Sequence, residues 1–398
     1  MSAPLNLVYV GTWPPHPGGS AISASQLMLG LVATGSRVRA LAPITPDAAP
    51  SDDGGAARPG LAVQRFEVPY FETSPNVPAP AAYRRQEGEQ VRSMLTALIE
   101  RERPDAVVIG RETFAWHVPD VAARFGVPSL LRFGGGVTNA ILSGAYPEAM
   151  GRTLFEAFHR MALIVVQARY LADALGRLGF RHVSVVPNAV DLRQFAPRPK
   201  SERLLHELAI GHEDIVVAHV SNLKDVKRPL DLVDSAELAV PADPRLLYLV
   251  VGDGPCREAM ERACVARGVA HRFRFVGWVD YARIPEFLSL ADIVAMPSEH
   301  EQQARVYLET QACARLLLAS DIPGAREVVT DGETGLLFCK GDPADLAAKT
   351  LRAAADPRLR ADIGNRARAQ VGRHALDTAV SAYATALRGI VRAGPPSR

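Results

Sequence analysis

Lysine is scarce in this 398-residue chain: Lys200, Lys224, Lys227, Lys340 and Lys349 are the whole supply, and the remaining basic charge is arginine. Cysteine is scarcer still. Cys256, Cys264, Cys313 and Cys339 form no metal-like pair, so buried free thiols in a reducing cytoplasm are expected. A net charge of +2, with no basic stripe interleaved with aromatics, argues against a nucleic-acid partner. No apolar run approaches the ~18 residues of a membrane span. The start, "MSAPLNLVYVGTW", lacks the charged opening and apolar core of a signal peptide. The best candidate for a membrane-surface helix, "YRRQEGEQVRSMLTALIERERP", mixes both signs evenly and reads as solvated. No internal repeat and no paired-acid metal site is present. Membrane association is therefore not expected, and a soluble cytoplasmic protein is. The arginine- and alanine-rich composition points to a bacterium with a GC-rich genome.

What is present is an alternation of short apolar runs with helical patterns from end to end. "LNLVYVG", "SRVRALAP", "LAVQRFEVP", "DAVVIG", "PSLLRFGG", "LIVVQA" and "HVSVVPN" read as strands, and "SAISASQLMLGLVATG" and "RYLADALGRLG" as helices closed by glycine. The pattern resumes with "DIVVAHVSN", "RLLYLVVGDG", "FRFVGW", "ADIVAMPS", "LLLASD" and "GLLF". Such alternation implies an α/β chain with parallel sheets covered by helices on both faces. The length exceeds one ordinary core. Prolines and charges in "DLRQFAPRPKSERLL" suggest a linker, dividing residues 1–193 from 194–373, with a helix over 374–398 returning to the N-terminal half. Two doubly wound halves facing across a cleft would bind a ligand there. The proline- and glycine-rich stretches 43–60 and 69–82 are long loops, either disordered or forming a binding rim.

Three motifs carry chemistry. In "VVGDGPCREAM", Gly252 and Gly254 allow close backbone approach and Pro255 suits a helix start, which attracts phosphate; a plain chain reversal would also use such glycines. In "VSNLKDVKRPLDLV", two of the five lysines, Lys224 and Lys227, stand three apart just after a strand, where ammonium groups can meet phosphate. In "PSEHEQQARVYLETQAC", Glu301 and Glu309 flank a helix start whose free N–H groups, near Gln302, Gln303, Ala304 and Arg305, form an anion site. If wholly helical, the eight steps between the glutamates rise about 12 Å. That matches roughly the distance from sugar to ribose in a nucleotide diphosphate sugar. Either glutamate alone also fits an ordinary helical role.

Taken in order, "PPHPGGSAISASQLMLGLVATGSRVRALAP", "VVPNAVDLRQF", "VSNLKDVKRP", "LVVGDGP", "FVGW", "ADIVAMPSEHEQQARVYLE" and "SDIPGAREVVTDGETGLLF" resemble the family-4 retaining glycosyltransferases of the GT-B fold. The resemblance spans almost the whole chain. It implies a nucleotide-sugar donor held mainly by the C-terminal domain and an acceptor held mainly by the N-terminal one. It assigns Glu301 to the donor sugar, Glu309 to the ribose, and Lys224 and Lys227 to the diphosphate. It also implies that Gly18 and Gly19 close over the phosphates, and that Gly254 and the Gly277–Trp278 region are candidates to hold the base. It further implies front-face displacement with retention, without a metal or other cofactor. The expected partners are a nucleotide-sugar donor, a UDP-sugar by frequency, and a soluble small-molecule acceptor, with a homodimer left open.

Three departures from the family pattern stand out. Asn222 occupies a position often held by arginine. Gln302 and Gln303 replace a common glycine and phenylalanine, which can change the sugar hydroxyls that are read. Arg132 and Phe133 lie where many relatives have a histidine; Arg132 can contact a phosphate or an acidic acceptor but cannot act as a base. His117 is a distant substitute, more often a satisfied histidine. Two other readings share the architecture: a nucleotide-sugar 2-epimerase, and a non-catalytic sugar-nucleotide binder.

Overall fold

The computed structural model describes residues 3–14, 18–44, 58–68, 81–134, 136–142, 144 and 146–395. The loops 43–60 and 69–82, expected to line an acceptor site, lie mostly outside these residues.

The apolar runs become two parallel sheets. The first contains β1 (Asn6–Val10), β2 (Arg37–Ile44), β3 (Leu61–Glu67), β4 (Ala106–Ile109), β5 (Ser129–Arg132), β6 (Leu163–Val166) and β7 (Val183–Val185), in the order β3-β2-β1-β4-β5-β6-β7. The second contains β8 (Ile215–Val220), β9 (Leu246–Val251), β10 (Phe273–Gly277), β11 (Ile293–Met296), β12 (Leu316–Ser320) and β13 (Leu336–Phe338), in the order β10-β9-β8-β11-β12-β13. Every residue of β4, β5, β9, β11 and β12 is buried. That is why these strands read as unbroken apolar runs: helices cover both faces of a parallel sheet. Gly35 and Gly179 follow the helices Gly19–Ala33 and Arg169–Arg177 at φ 96° and 90°, the left-handed turn that ends a helix without a Cβ clash.

The chain forms two compact units, Met1–Pro187 with Leu376–Arg398, and Asn188–Ala375. The proline-rich segment read as a linker lies inside the second unit. Val190 and Phe195 are wholly buried in its core, so apolar anchoring outweighs the local proline and charge signal. Helix Leu376–Ala393 belongs to the first unit. Its Val380, Tyr383, Leu387 and Ile390 join Leu7, Tyr9, Met28 and Leu31 in one apolar cluster. The approach is close: a Cβ on Gly30 would meet Val380 at 2.3 Å. Three cysteines are buried, but Cys339, just beyond β13 at the sheet edge, is exposed, contrary to the expectation for all four.

Candidate functional site

Strand order reverses once in each sheet, between β1 and β4 in the first unit and between β8 and β11 in the second. Ligands of doubly wound sheets bind beyond the carboxyl ends of the strands at such a reversal. In the second unit the lysine loop leaves β8 and the acidic motif leaves β11, so the fold brings both to that point.

The two loops are joined by an ion pair. Lys227 Nζ donates to Glu301 Oε1 at 2.5 Å, and Ser298 Oγ donates to the same oxygen at 2.9 Å. Both charged side chains are largely shielded, at 20% and 10% exposure. An ammonium carries three N–H donors, and this pairing engages one of them. Lys224 stands beside it, half-buried; burial, then the charge of Lys227, hold its pKa below the usual lysine value.

The lysine loop is fixed from beneath by a residue that the sequence reading passed over. His219 on β8 is wholly buried; Nδ1 bonds Ala295 O at 2.9 Å and Nε2 bonds Ser221 Oγ at 2.7 Å. Ser221 Oγ in turn accepts Leu223 N–H at 3.1 Å. Burial pushes the imidazole pKa down to about 4, so it is neutral at pH 7. The glycine turn supports the same loop. A Cβ on Gly252 would lie 1.8 Å from Ser221 O, and one on Gly254 2.0 Å from Asn222 O. Close backbone approach is thus the role of both glycines, and the backbone they approach is the lysine loop. Gly277, at φ 80°, accepts Gly252 N–H at 2.8 Å, and Trp278 beside it is 55% exposed.

In the acidic motif the helix is Arg305–Ala312, with Ala304 at its N-cap. Only the second half of the Glu301–Glu309 span is helical, so the 12 Å rise expected for a continuous helix does not apply. Residues 301–304 instead bend against the short helix Pro323–Arg326: a Cβ on Gly324 would lie 2.0 Å from Glu301 O and 2.6 Å from Gln302 O. Gln303 is buried and turned to Asn188, whose backbone N–H it accepts at 2.5 Å. Asn188 Nδ2 also donates to Gln303 O at 2.8 Å.

Glu309 is 4% exposed and belongs to a cluster. Its Oε1 accepts from Tyr281 Oη at 2.8 Å and from Arg305 Nη2 and Nε at 3.3 and 3.4 Å. Arg305 also donates to the Tyr281 hydroxyl, and its guanidinium lies 4.9 Å from the centre of that ring. Burial opposes the Arg305 charge, yet Tyr281 and Glu309 hold its pKa above the ordinary value. Sequence reasoning enlisted Arg305 for its backbone N–H and did not single out Tyr281. The i, i+4 spacing of Arg305 and Glu309 was the available signal for the pair.

The first-unit candidates are distributed differently. Gly18, at φ 121°, caps the helix that begins at Gly19. Arg132 is 5% exposed; Nη2 donates to Ser23 Oγ at 2.5 Å, and it also bonds the buried Tyr383 hydroxyl. His117 packs against Gly88, where a Cβ would meet its ring at 2.6 Å, and Arg92 Nη1 lies 2.9 Å from its Nδ1. Burial and Arg92 hold its pKa down to about 4, which makes it a satisfied neutral histidine. Among the described residues, no three His, Cys, Asp or Glu are grouped to hold a metal ion, and no helix is long and apolar enough to cross a membrane.

Comparison with known proteins follows the two units. The family model described as Glycosyltransferase Family 4 matches residues 17–194, and that described as Glycosyl transferases group 1 matches residues 200–370. The D-inositol 3-phosphate glycosyltransferase of Thermomonospora curvata is 32% identical over 260 residues, 60% of each chain. The 2-deoxystreptamine N-acetyl-D-glucosaminyltransferase of Streptomyces fradiae is 34% identical over 177 residues, 44% of this chain and 41% of that one. The match thus spans 60% or less of the length of these curated relatives. Among solved structures, sucrose-phosphate synthase from Thermosynechococcus elongatus superposes with a TM-score of 0.84 at 19% identity, over 98% of this chain and 100% of that one. Anabaena HepE in complex with UDP and glucose gives 0.78 at 18% identity, over 96% and 99%.

Proposed function

The chain belongs to the family-4 glycosyltransferases of the GT-B fold, and from that premise we propose that it moves a hexosyl group from a nucleotide diphosphate sugar to a small hydroxylated acceptor, with retention at the anomeric carbon. The carrying observation is the Lys227–Glu301 pair at the β8/β11 reversal, with Lys224 alongside. Glu301 is held as an acceptor suited to a sugar hydroxyl. The two ammonium groups are placed to offset the negative charge that builds on the departing diphosphate. Glu309, fixed by Tyr281 and Arg305, serves the ribose. UDP is the favoured nucleotide, in keeping with the UDP held by the HepE neighbour. Relatives named for inositol phosphate and deoxystreptamine favour a small polar acceptor.

In this mechanism the acceptor attacks from the face the diphosphate leaves, and a phosphate oxygen takes the acceptor proton. Lysine-stabilised departure needs no metal, so turnover should persist in a chelator. The test is Lys224→Ala, a change at a half-buried side chain. It should melt like the wild type yet lose at least about tenfold in UDP affinity, equivalent to about 1.4 kcal/mol. Product from UDP-sugar and an acceptor panel should keep the donor's anomeric configuration by NMR. Undiminished nucleotide binding by the variant would remove Lys224 from the site. Isomerised donor without an acceptor would favour the epimerase reading, and tight binding with no turnover the non-catalytic binder.

A further inference from the structure

Lys224 and Lys227 lie on a loop whose two ends are both left-handed. Leu223 has φ 38° and Arg228 φ 45°, two of the five residues other than glycine with positive φ among those described. Such a conformation costs free energy for a residue with a Cβ and persists only where its surroundings fix it. At the first end, the buried Leu223 accepts Cys256 N–H on its carbonyl at 2.9 Å and donates its own N–H to Ser221 Oγ at 3.1 Å. At the second end, Arg228 is the hub of an ion network that the donor reading does not use. Its Nε and Nη2 donate to Asp231 at 2.7 and 3.1 Å, and its Nη1 donates to Glu299 Oε2 at 3.2 Å. Lys340, on the loop after β13, donates to the other oxygen of Glu299 at 2.6 Å. Glu299 N–H in turn donates to Val226 O, inside the lysine loop, at 2.8 Å.

Stability alone is a poor account of this network. The side chains of Arg228, Glu299 and Lys340 are 34%, 43% and 45% exposed, and ion pairs at such exposure stabilise a fold little. They offset little of the strain at Arg228. What the network does is join, at a second point, the same loops that the Lys227–Glu301 pair joins. Arg228 directly follows Lys227, and Glu299 stands two residues before Glu301. A ligand that draws Lys227 and Glu301 to itself loosens that pair, and the two loops then keep their register through Arg228, Glu299 and Val226. We propose that Arg228 and Glu299 are positioning residues, holding the lysine loop against the acidic motif so that Lys224 and Lys227 keep their places for a diphosphate. This rests on the nucleotide-sugar reading above. Neither Arg228 nor Glu299 need touch the nucleotide.

The test compares Arg228→Gly, Glu299→Gln and the double variant in the full chain. Glycine relieves the left-handed strain as it removes the guanidinium, so the melting temperature of Arg228→Gly should stay close to that of the wild type. Calorimetric titration with UDP, GDP and their nucleosides then separates position from fold. Each single variant should lose about fivefold or more in affinity for the preferred diphosphate, yet bind its nucleoside, which carries no phosphate, within about twofold of wild type. Because the two residues act through one contact, the double variant should lose no more than the worse single one. Unchanged diphosphate affinity in both single variants overturns the proposal and leaves a surface ion network, while the donor reading stands. Equal losses for diphosphate and nucleoside also overturn it, because the whole site would then be distorted, and so do losses that multiply in the double variant. Should Arg228→Gly fail to fold, Glu299→Gln, a change at a half-exposed side chain, carries the same comparison alone. If the wild type binds no nucleotide, the donor reading fails, and this proposal with it.

Discussion

Replacing Glu309 alone has two effects that are easily confused. Its carboxylate faces a buried arginine and a buried tyrosine hydroxyl, so Glu309→Ala removes the proposed ribose acceptor and also strands the Arg305 charge. Breaking a buried pair from one side costs about 3–5 kcal/mol, whereas replacing both partners with apolar groups is often nearly neutral. Glu309→Leu should therefore unfold at clearly lower denaturant, and Arg305→Leu/Glu309→Leu should recover most of the loss. A double variant no more stable than the single one would mean that the pair contributes little. The sequence singles out the glutamate by its spacing to Glu301. Its partner Tyr281 was not legible there, because that contact joins residues 28 apart in sequence and exists only once the sheet has formed.

At the scale of elements, the turn after β9 and the loop after β8 are one construction. Gly252 has φ 124°, a conformation costly for any other residue, and a side chain there would strike the Ser221 carbonyl. Gly252→Ala should destabilise the fold by at least about 2 kcal/mol through combined strain and collision. It should also weaken nucleotide binding by displacing Lys224 and Lys227. Chemical denaturation and a UDP titration would show whether the two losses occur together. The wholly buried strands β4, β9, β11 and β12 were readable because burial on both faces leaves a nearly unbroken apolar run. The helix start after Gln303 was readable too; what the preceding loop bends against was not, because the close approach of Gly324 exists only in the folded chain.

For the whole molecule, acid should act through histidines in both units. His117, beside Arg92 and Asp120, His219, near Lys227 and Glu301, and His374, beside Arg373, each have a pKa lowered from 6.5 to about 4, with burial as the main cause. The unfolded chain binds these protons at higher pH than the folded one. Their contribution to stability is therefore complete above about pH 6.5 and is lost as the pH falls toward 4. Melting temperature should fall between pH 6.5 and 5, and His219→Gln should flatten part of that slope. A curve level across this window would show that the histidines titrate alike in both states. Proline and charge placed the expected domain boundary a little too late, because the buried Phe195 that fastens the segment to the second unit looks, in sequence, like one aromatic among arginines.

The second unit is one continuous stretch, while the first is closed by residues that follow the whole of the second. During synthesis the earlier unit leaves the ribosome with the seat for Val380, Tyr383 and Leu387 still open, and a later-made unit can reach its native state first. Apolar surface around Leu7, Met28 and Leu31 stays uncovered for the time needed to translate nearly half the protein. A chain interrupted anywhere before the helix Leu376–Ala393 thus loses the completion of its earlier-made unit, and becomes a natural target for chaperones and proteases.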